Sequence, residues 1–134
     1  NCRMGDPETE VVIPLVKSDL LELFIETANN SLDKASVVID ERSATTVMLV
    51  SGGYPEAYEK GKDITGIENV DDSIIFHAGT TKSDNDELVT NGGRVIAVTS
   101  FGADFKEALA TSYKNVEKIS FEKKNFRTDI GFDL

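Results

Sequence analysis

The spacing of apolar residues changes character twice along the chain. Between positions 11 and 28 they recur at helical intervals, from about Ser36 they alternate or run on as strands do, and after Asp104 the helical period returns. Val11, Val12, Leu15 and Val16 mark a first short helix. Asp6-Pro7 stands at its start, since proline favours the first helical position, and Pro14 is expected to end or kink it. Ser18 is placed to cap a second helix. Leu20, Leu21, Phe24, Ile25 and Ala28 make that helix's apolar face, and Asn29-Asn30 suits its end. Strand patterns follow at 45–50, 73–78 and 94–100, with shorter candidates at 64–67 and 118–121. Ser51-Gly52-Gly53 stops the first of these. The polar stretch 82–87 reads as a hairpin loop between Phe76-His77 and Leu88-Val89. Asp104 caps a last helix, with Phe105, Ala108, Leu109, Ser112 and Val116 on one face.

The pattern divides near Asp33 into a helical segment, 1–33, and an α+β domain, 34–134, of β-rich texture with one packed helix. A chain of 134 residues can bury roughly two thirds of its unfolded surface. No apolar run approaches the roughly 20 residues that span a bilayer. Asp6, Glu8 and Glu10 stand where a signal peptide would be basic. The single cysteine excludes an internal disulfide, and a reducing cytoplasm is the expected setting. A net charge of −10 opposes nucleic acid and anionic membranes as partners. It still allows a small phosphorylated substrate in a locally basic pocket, for which Arg3, Arg94, Lys123, Lys124 and Arg127 are available. Lys123-Lys124 by itself reads as a solvated loop or strand end.

The densest chemistry lies in Asn1-Cys2-Arg3-Met4-Gly5-Asp6-Pro7-Glu8-Thr9. In an extended segment Asn1 and Arg3 point the same way and Cys2 the other. An amide carbonyl suits a hard cation, and a guanidinium fork suits phosphate or carboxylate. A working site at a chain end is poorly held, so a longer parent chain is expected. Asp6 and Glu8 have a second reading, as a cap and a first-turn acid of the helix. His77, the only histidine, has no second His or free Cys partner suited to a transition-metal cluster and reads as structural. Gly79-Thr80 and Asn91-Gly92-Gly93-Arg94 read either as turns joining strands or as a backbone-lined approach to phosphate.

The opening segment resembles the metal- and phosphate-handling strand that ends the ATP-grasp domain of the phosphoribosylamine–glycine ligases. Gly52-Gly53-Tyr54-Pro55, Phe76-His77-Ala78-Gly79-Thr80, Thr90-Asn91-Gly92-Gly93-Arg94-Val95 and Arg127-Thr128-Asp129-Ile130-Gly131 are similar to landmarks of the same family, in the same order. The resemblance implies that 1–33 is the end of an ATP-grasp domain. It implies that 34–134 is a small β-rich C-terminal domain of barrel-sandwich (rudiment single hybrid) type. In the intact enzyme it implies ATP with Mg²⁺ or Mn²⁺, glycine and 5-phosphoribosylamine as substrates, and the rest of the same polypeptide as partner. Glycine's carboxylate is phosphorylated and the amine of phosphoribosylamine attacks the glycyl phosphate. Asn1 is then the metal ligand and Arg3 the catalytic arginine. Asp6, Glu8, Gly79, Thr80, Asn91, Gly92, Gly93 and Arg94 are then substrate-binding. The family's metal-binding Glu two residues before the Asn precedes this sequence, so the chain alone is expected to be inactive. The competing expectation is a non-catalytic barrel-sandwich binding or carrier module, with Lys82 in Thr81-Lys82-Ser83-Asp84 as its carrier lysine.

Overall fold

The computed structural model describes residues 3–133. Two helices, α1 (Thr9–Leu15) and α2 (Leu20–Ala28), precede five strands: β1 (Ser43–Val50), β2 (Ser73–His77), β3 (Thr80–Lys82), β4 (Leu88–Thr90) and β5 (Arg94–Gly102). Helix α3 (Phe105–Val116) follows. The strands form two antiparallel sheets, one in the order β1-β5-β2 and the other a β3-β4 hairpin. The chain is therefore an α+β fold, as the hydrophobic pattern predicts.

The long apolar run Val95-Ile96-Ala97-Val98 is buried because β5 is the central strand. Val98 pairs with Val47 on one side and Ile75 on the other. Thr45 and Thr46 show how β1 serves both faces of this sheet. Thr45 Oγ1 lies 3.1 Å from Ser112 Oγ of α3, whereas Thr46 Oγ1 accepts a 2.9 Å bond from Thr99. Thr99 also reaches the Glu10 carbonyl at 2.9 Å and so ties α1 to the opposite face. Helix α3 buries Ala108, Ser112, Asn115 and Val116, a stripe at helical spacing that closes the core with Ile119 and Phe121. Asp104 caps it by accepting from the Glu107 N–H at 2.9 Å.

Some local expectations are corrected. Asp19, not Ser18, caps α2, accepting from Leu21 and Glu22 N–H groups; Ser18 instead bridges to Ser36 and Val38. The hairpin partner of Leu88–Thr90 is Thr80–Lys82, while Ser73–His77 joins the larger sheet beside β5. Segments 64–67 and 118–121 make isolated bridges, such as Thr65 to Ser120, rather than strands. Lys124 is not solvated: its ammonium donates to the Val116 and Ile119 carbonyls at 2.8 and 2.7 Å. It satisfies the end of α3, where a cation also suits the helix dipole. Partial burial lowers its pKa.

Residues 15–17 lie antiparallel to 38–40, with Lys17 N–H donating to Val38 and Asp40 N–H to Leu15. Asp40 is buried there and accepts from the Arg42 guanidinium and backbone N–H, with Lys17 at 3.4 Å. Arg42 also stacks on Phe101, 4.5 Å from the ring centroid. Chiefly the Arg42 side-chain bond holds the Asp40 carboxyl well below the usual carboxylate range. A depressed folded pKa adds stability above the unfolded value, about 3.9, that is lost as pH falls through the folded value. Asp40→Asn should therefore lower Tm at pH 7, and its gap to the parent should shrink below about pH 4. Melting curves from pH 7 to 2 check this; a gap that stays constant throughout contradicts it.

Candidate functional site

The turn that opens the described chain is closed by its own residues. Gly5 N–H donates to Glu8 Oε2 at 2.7 Å, and Thr9 donates to the Gly5 carbonyl through its N–H at 3.0 Å and its hydroxyl at 2.7 Å. Glu8 occupies the cap position of α1 without a side-chain cap bond, so Asp6 is not the helix cap. Asp6 instead meets Arg94, the first residue of β5. Arg94 Nη1 donates to the Asp6 carbonyl at 2.8 Å, and Nη2 lies 3.1 Å from Asp6 Oδ2. Asp86, eight residues before Arg94, pairs instead with Lys82.

Three of the glycine-containing segments converge on the start of β5. Gly79 N–H donates to the Arg94 carbonyl at 2.8 Å, and Asn91 N–H to the Gly79 carbonyl at 2.7 Å. Gly79 and Gly92 lie back to back, so that a Cβ on Gly79 would stand 2.6 Å from the Gly92 Cα. Ser51 donates to the Gly93 carbonyl through its N–H and to the Gly92 carbonyl through its hydroxyl, each at 2.8 Å. The Tyr54 ring lies directly against Gly93, in the space a Cβ would need. Thr80 Oγ1 is 3.1 Å from His77 Nδ1, an exposed contact that fixes the β2–β3 corner.

A groove of about 670 Å³ opens beside this junction. Pro7, Met48, Val50, Tyr54, Phe126 and Ile130 supply most of its apolar wall, and Arg94 and Arg127 its cationic groups. Arg127 is held by a two-pronged bond to Asp129 at 2.8 and 2.9 Å, which raises its pKa further. Arg94 spends two of its five N–H groups on Asp6. The groove thus offers apolar cover and two fixed guanidinium groups, a setting for an organic anion. Lys123 pairs with Glu59, and Lys124 with the end of α3. Only Arg94 and Arg127 of the predicted basic set line the groove.

Arg3 is exposed. Asn1, the predicted metal ligand, and Cys2 lie outside the described residues. No group of three or more His, Cys, Asp or Glu side chains is placed to hold a metal among the described residues. Asp6 is engaged by Arg94 and Glu8 by Gly5. The described donor set therefore does not make a metal site by itself. Among the described residues no helix is long and apolar enough to cross a membrane.

A family model described as the phosphoribosylglycinamide synthetase C domain matches residues 44–133. The chain belongs to this family. Its sequence is 46% identical over 134 residues to the phosphoribosylamine–glycine ligase of Chlorobaculum tepidum, covering 98% of this chain and 31% of that protein. It is also 46% identical to the bifunctional purine biosynthetic protein of Dictyostelium discoideum, covering 98% of this chain and 16% of that one. The fold superposes on the solved phosphoribosylamine–glycine ligase of Thermotoga maritima with a TM-score of 0.75 at 38% identity, over 96% of this chain and 32% of that one. The chain thus spans about a third of the single-function relatives it matches.

Two residues that line the groove are less legible in the sequence than Arg94. Arg127 is one of the available basic residues, and Asp129 two positions on is the signal that its guanidinium is braced. Tyr54 carried no chemical signal beyond its place in Gly-Gly-Tyr-Pro, yet it forms groove wall and glycine cover together.

Proposed function

We propose that this chain is the carboxy-terminal part of a phosphoribosylamine–glycine ligase, a cytoplasmic enzyme of purine synthesis. The longer polypeptide joins glycine to 5-phosphoribosylamine with ATP and Mg²⁺ or Mn²⁺. Residues 1–33 are the end of its ATP-grasp domain, and 34–134 its C-terminal domain of barrel-sandwich type. The observation that carries the reading is the match of residues 44–133 to the phosphoribosylglycinamide synthetase C domain. The Asp6–Arg94 contact, which fastens the opening motif to the glycine junction beside a groove with two arginines, supports it.

What this chain's own residues do is bind and orient. Arg94 keeps unused N–H groups that can reach an anion such as the phosphate of phosphoribosylamine. Gly79, Thr80, Asn91, Gly92 and Gly93 shape the backbone around it. Arg3 steadies phosphoryl oxygens, Asp6 and Glu8 hold the opening loop, and Asn1 contributes to the metal with residues of the longer chain. ATP and its metal supply the activation of the glycine carboxylate when bound. No protein nucleophile is needed, because the substrate amine attacks the phosphorylated carboxyl, the acyl C–O bond breaks, and phosphate leaves as the amine gives up a proton.

The test adds ATP, glycine and phosphoribosylamine to the full-length polypeptide. ADP formation that depends on glycine is the expected result, and its absence ends this reading. The 134-residue chain alone should melt cooperatively, since its core of β1, β5 and α3 is closed within it. It should hydrolyse no ATP above background. Glycine-stimulated ATP hydrolysis by the 134-residue chain would contradict the division of labour proposed here.

A further inference from the structure

Helix α2 carries an apolar stripe that nothing within the described residues covers. Leu21, Phe24 and Ile25 fall at i, i+3 and i+4, one face of a helix. Their exposures are 66, 65 and 49%. None of the nine residues of α2 is buried, whereas α3, of comparable amphipathic pattern, buries four. Beside it, Val37, Val38 and Ile39 are also about half exposed. Ser18 pins the two segments together by donating to the Ser36 carbonyl at 2.9 Å and accepting from the Val38 N–H at 2.7 Å. A surface helix of this pattern gains its stability by burying the stripe against something, and exposed apolar patches mark interaction surfaces.

The distribution of such side chains identifies what covers them. Among the described residues, nine of the thirteen exposed large apolar side chains precede residue 44, where the C-domain match begins. Within the match only Tyr54, Tyr58, Ile74 and Phe132 stand out, and the two tyrosines pair edge to face with ring centroids 6.1 Å apart. The matched domain is thus closed on itself, and the segment before it is not. The relatives that align over 98% of this chain carry two thirds or more of their length outside it. We propose that the face formed by Leu21, Phe24, Ile25 and 37–39 is the seat on which the remainder of the ligase polypeptide packs. This inference rests on the reading given under Proposed function. It adds that the remainder is anchored through α2, none of whose residues lines the groove.

Hydrogen exchange of the 134-residue chain and of the full-length polypeptide tests this. Amides of α2 should exchange at least roughly tenfold more slowly in the full-length protein, while those of β5 change little. In addition, the double substitution Leu21→Asp with Phe24→Asp should leave the melting point of the 134-residue chain unchanged, because both side chains are exposed in it. In the full-length protein the same change should lower the melting point by roughly 5 °C or more. Equal α2 exchange in both proteins overturns the proposal, as does an unmoved melting point in the full-length variant. Protection of α2 that rises with concentration in the 134-residue chain also overturns it, in favour of a second copy. Glycine-dependent ADP formation by the unmodified full-length protein is scored separately. Loss of that activity with α2 protected sinks the ligase reading alone, and activity with α2 unprotected sinks only the interface.

Discussion

Replacing Arg94 with alanine in the full-length protein is expected to raise the apparent KM for phosphoribosylamine about tenfold or more, leaving those for glycine and ATP nearly alone. The expectation comes from what the residue is fixed to and what it has left. Its backbone begins β5, the most buried strand, and its carbonyl accepts from Gly79. Its guanidinium is steadied by Asp6 and faces a groove that also holds Arg127. A bond from such a group to a charged oxygen is worth roughly 1.5–3 kcal/mol, hence the tenfold scale. The Asp6 pair itself is half exposed on both sides, so its loss should cost about 1 kcal/mol or less. Arg94→Lys should fall between, because an ammonium keeps the charge without the fork. A drop in melting temperature with all three KM values intact would retire the phosphate role and leave Arg94 as the fastener of the opening loop.

How much of this was legible beforehand depended on the range of the interaction. The run Val95-Ile96-Ala97-Val98 announced a covered strand, and Asp104 with its apolar stripe announced α3, because both patterns are local. Strand β3 was hidden: Thr80–Lys82 is three polar residues, and only its pairing with β4 makes it a strand. The choice of Asp19 over Ser18 as cap turns on one residue of register, which periodicity does not resolve. Lys124 reads as solvated because its partners, the carbonyls of Val116 at the end of α3 and of Ile119 just beyond it, are backbone groups without a sequence signature. The Asp6–Arg94 contact joins residues 88 positions apart, and nothing in their neighbours encodes the distance between them. The glycines were legible as special but ambiguous in purpose, since a turn, an anion approach and a close packing all call for the same residue. The structure adds the close packing to the first two.

That packing predicts a large stability effect in the small domain. In Gly79→Ala the new Cβ would stand 2.5 Å from the Arg94 carbonyl oxygen, 2.6 Å from the Gly92 Cα and 2.8 Å from the Gly92 nitrogen. All three are backbone atoms, so no side chain can turn aside. The two segments would have to part, stretching the Gly79-to-Arg94 and Asn91-to-Gly79 bonds that close the junction. Overpacking of this kind costs about 1–3 kcal/mol, and the rigid surroundings place this site toward the upper end. For a domain of this size that is a fall in Tm of roughly 5–15 °C. Gly93→Ala meets an obstacle of a different kind, the side chain of Tyr54. Here Tyr54→Ala should relieve the clash, so the double variant should be more stable than the two single losses add up to, by about 1 kcal/mol or more. No equivalent second change should rescue Gly79→Ala. Thermal melts of the four variants decide the matter. An unchanged Tm for Gly79→Ala would mean that the two turns are not in contact, and strictly additive losses at Gly93 and Tyr54 would mean that the ring does not lie on the glycine.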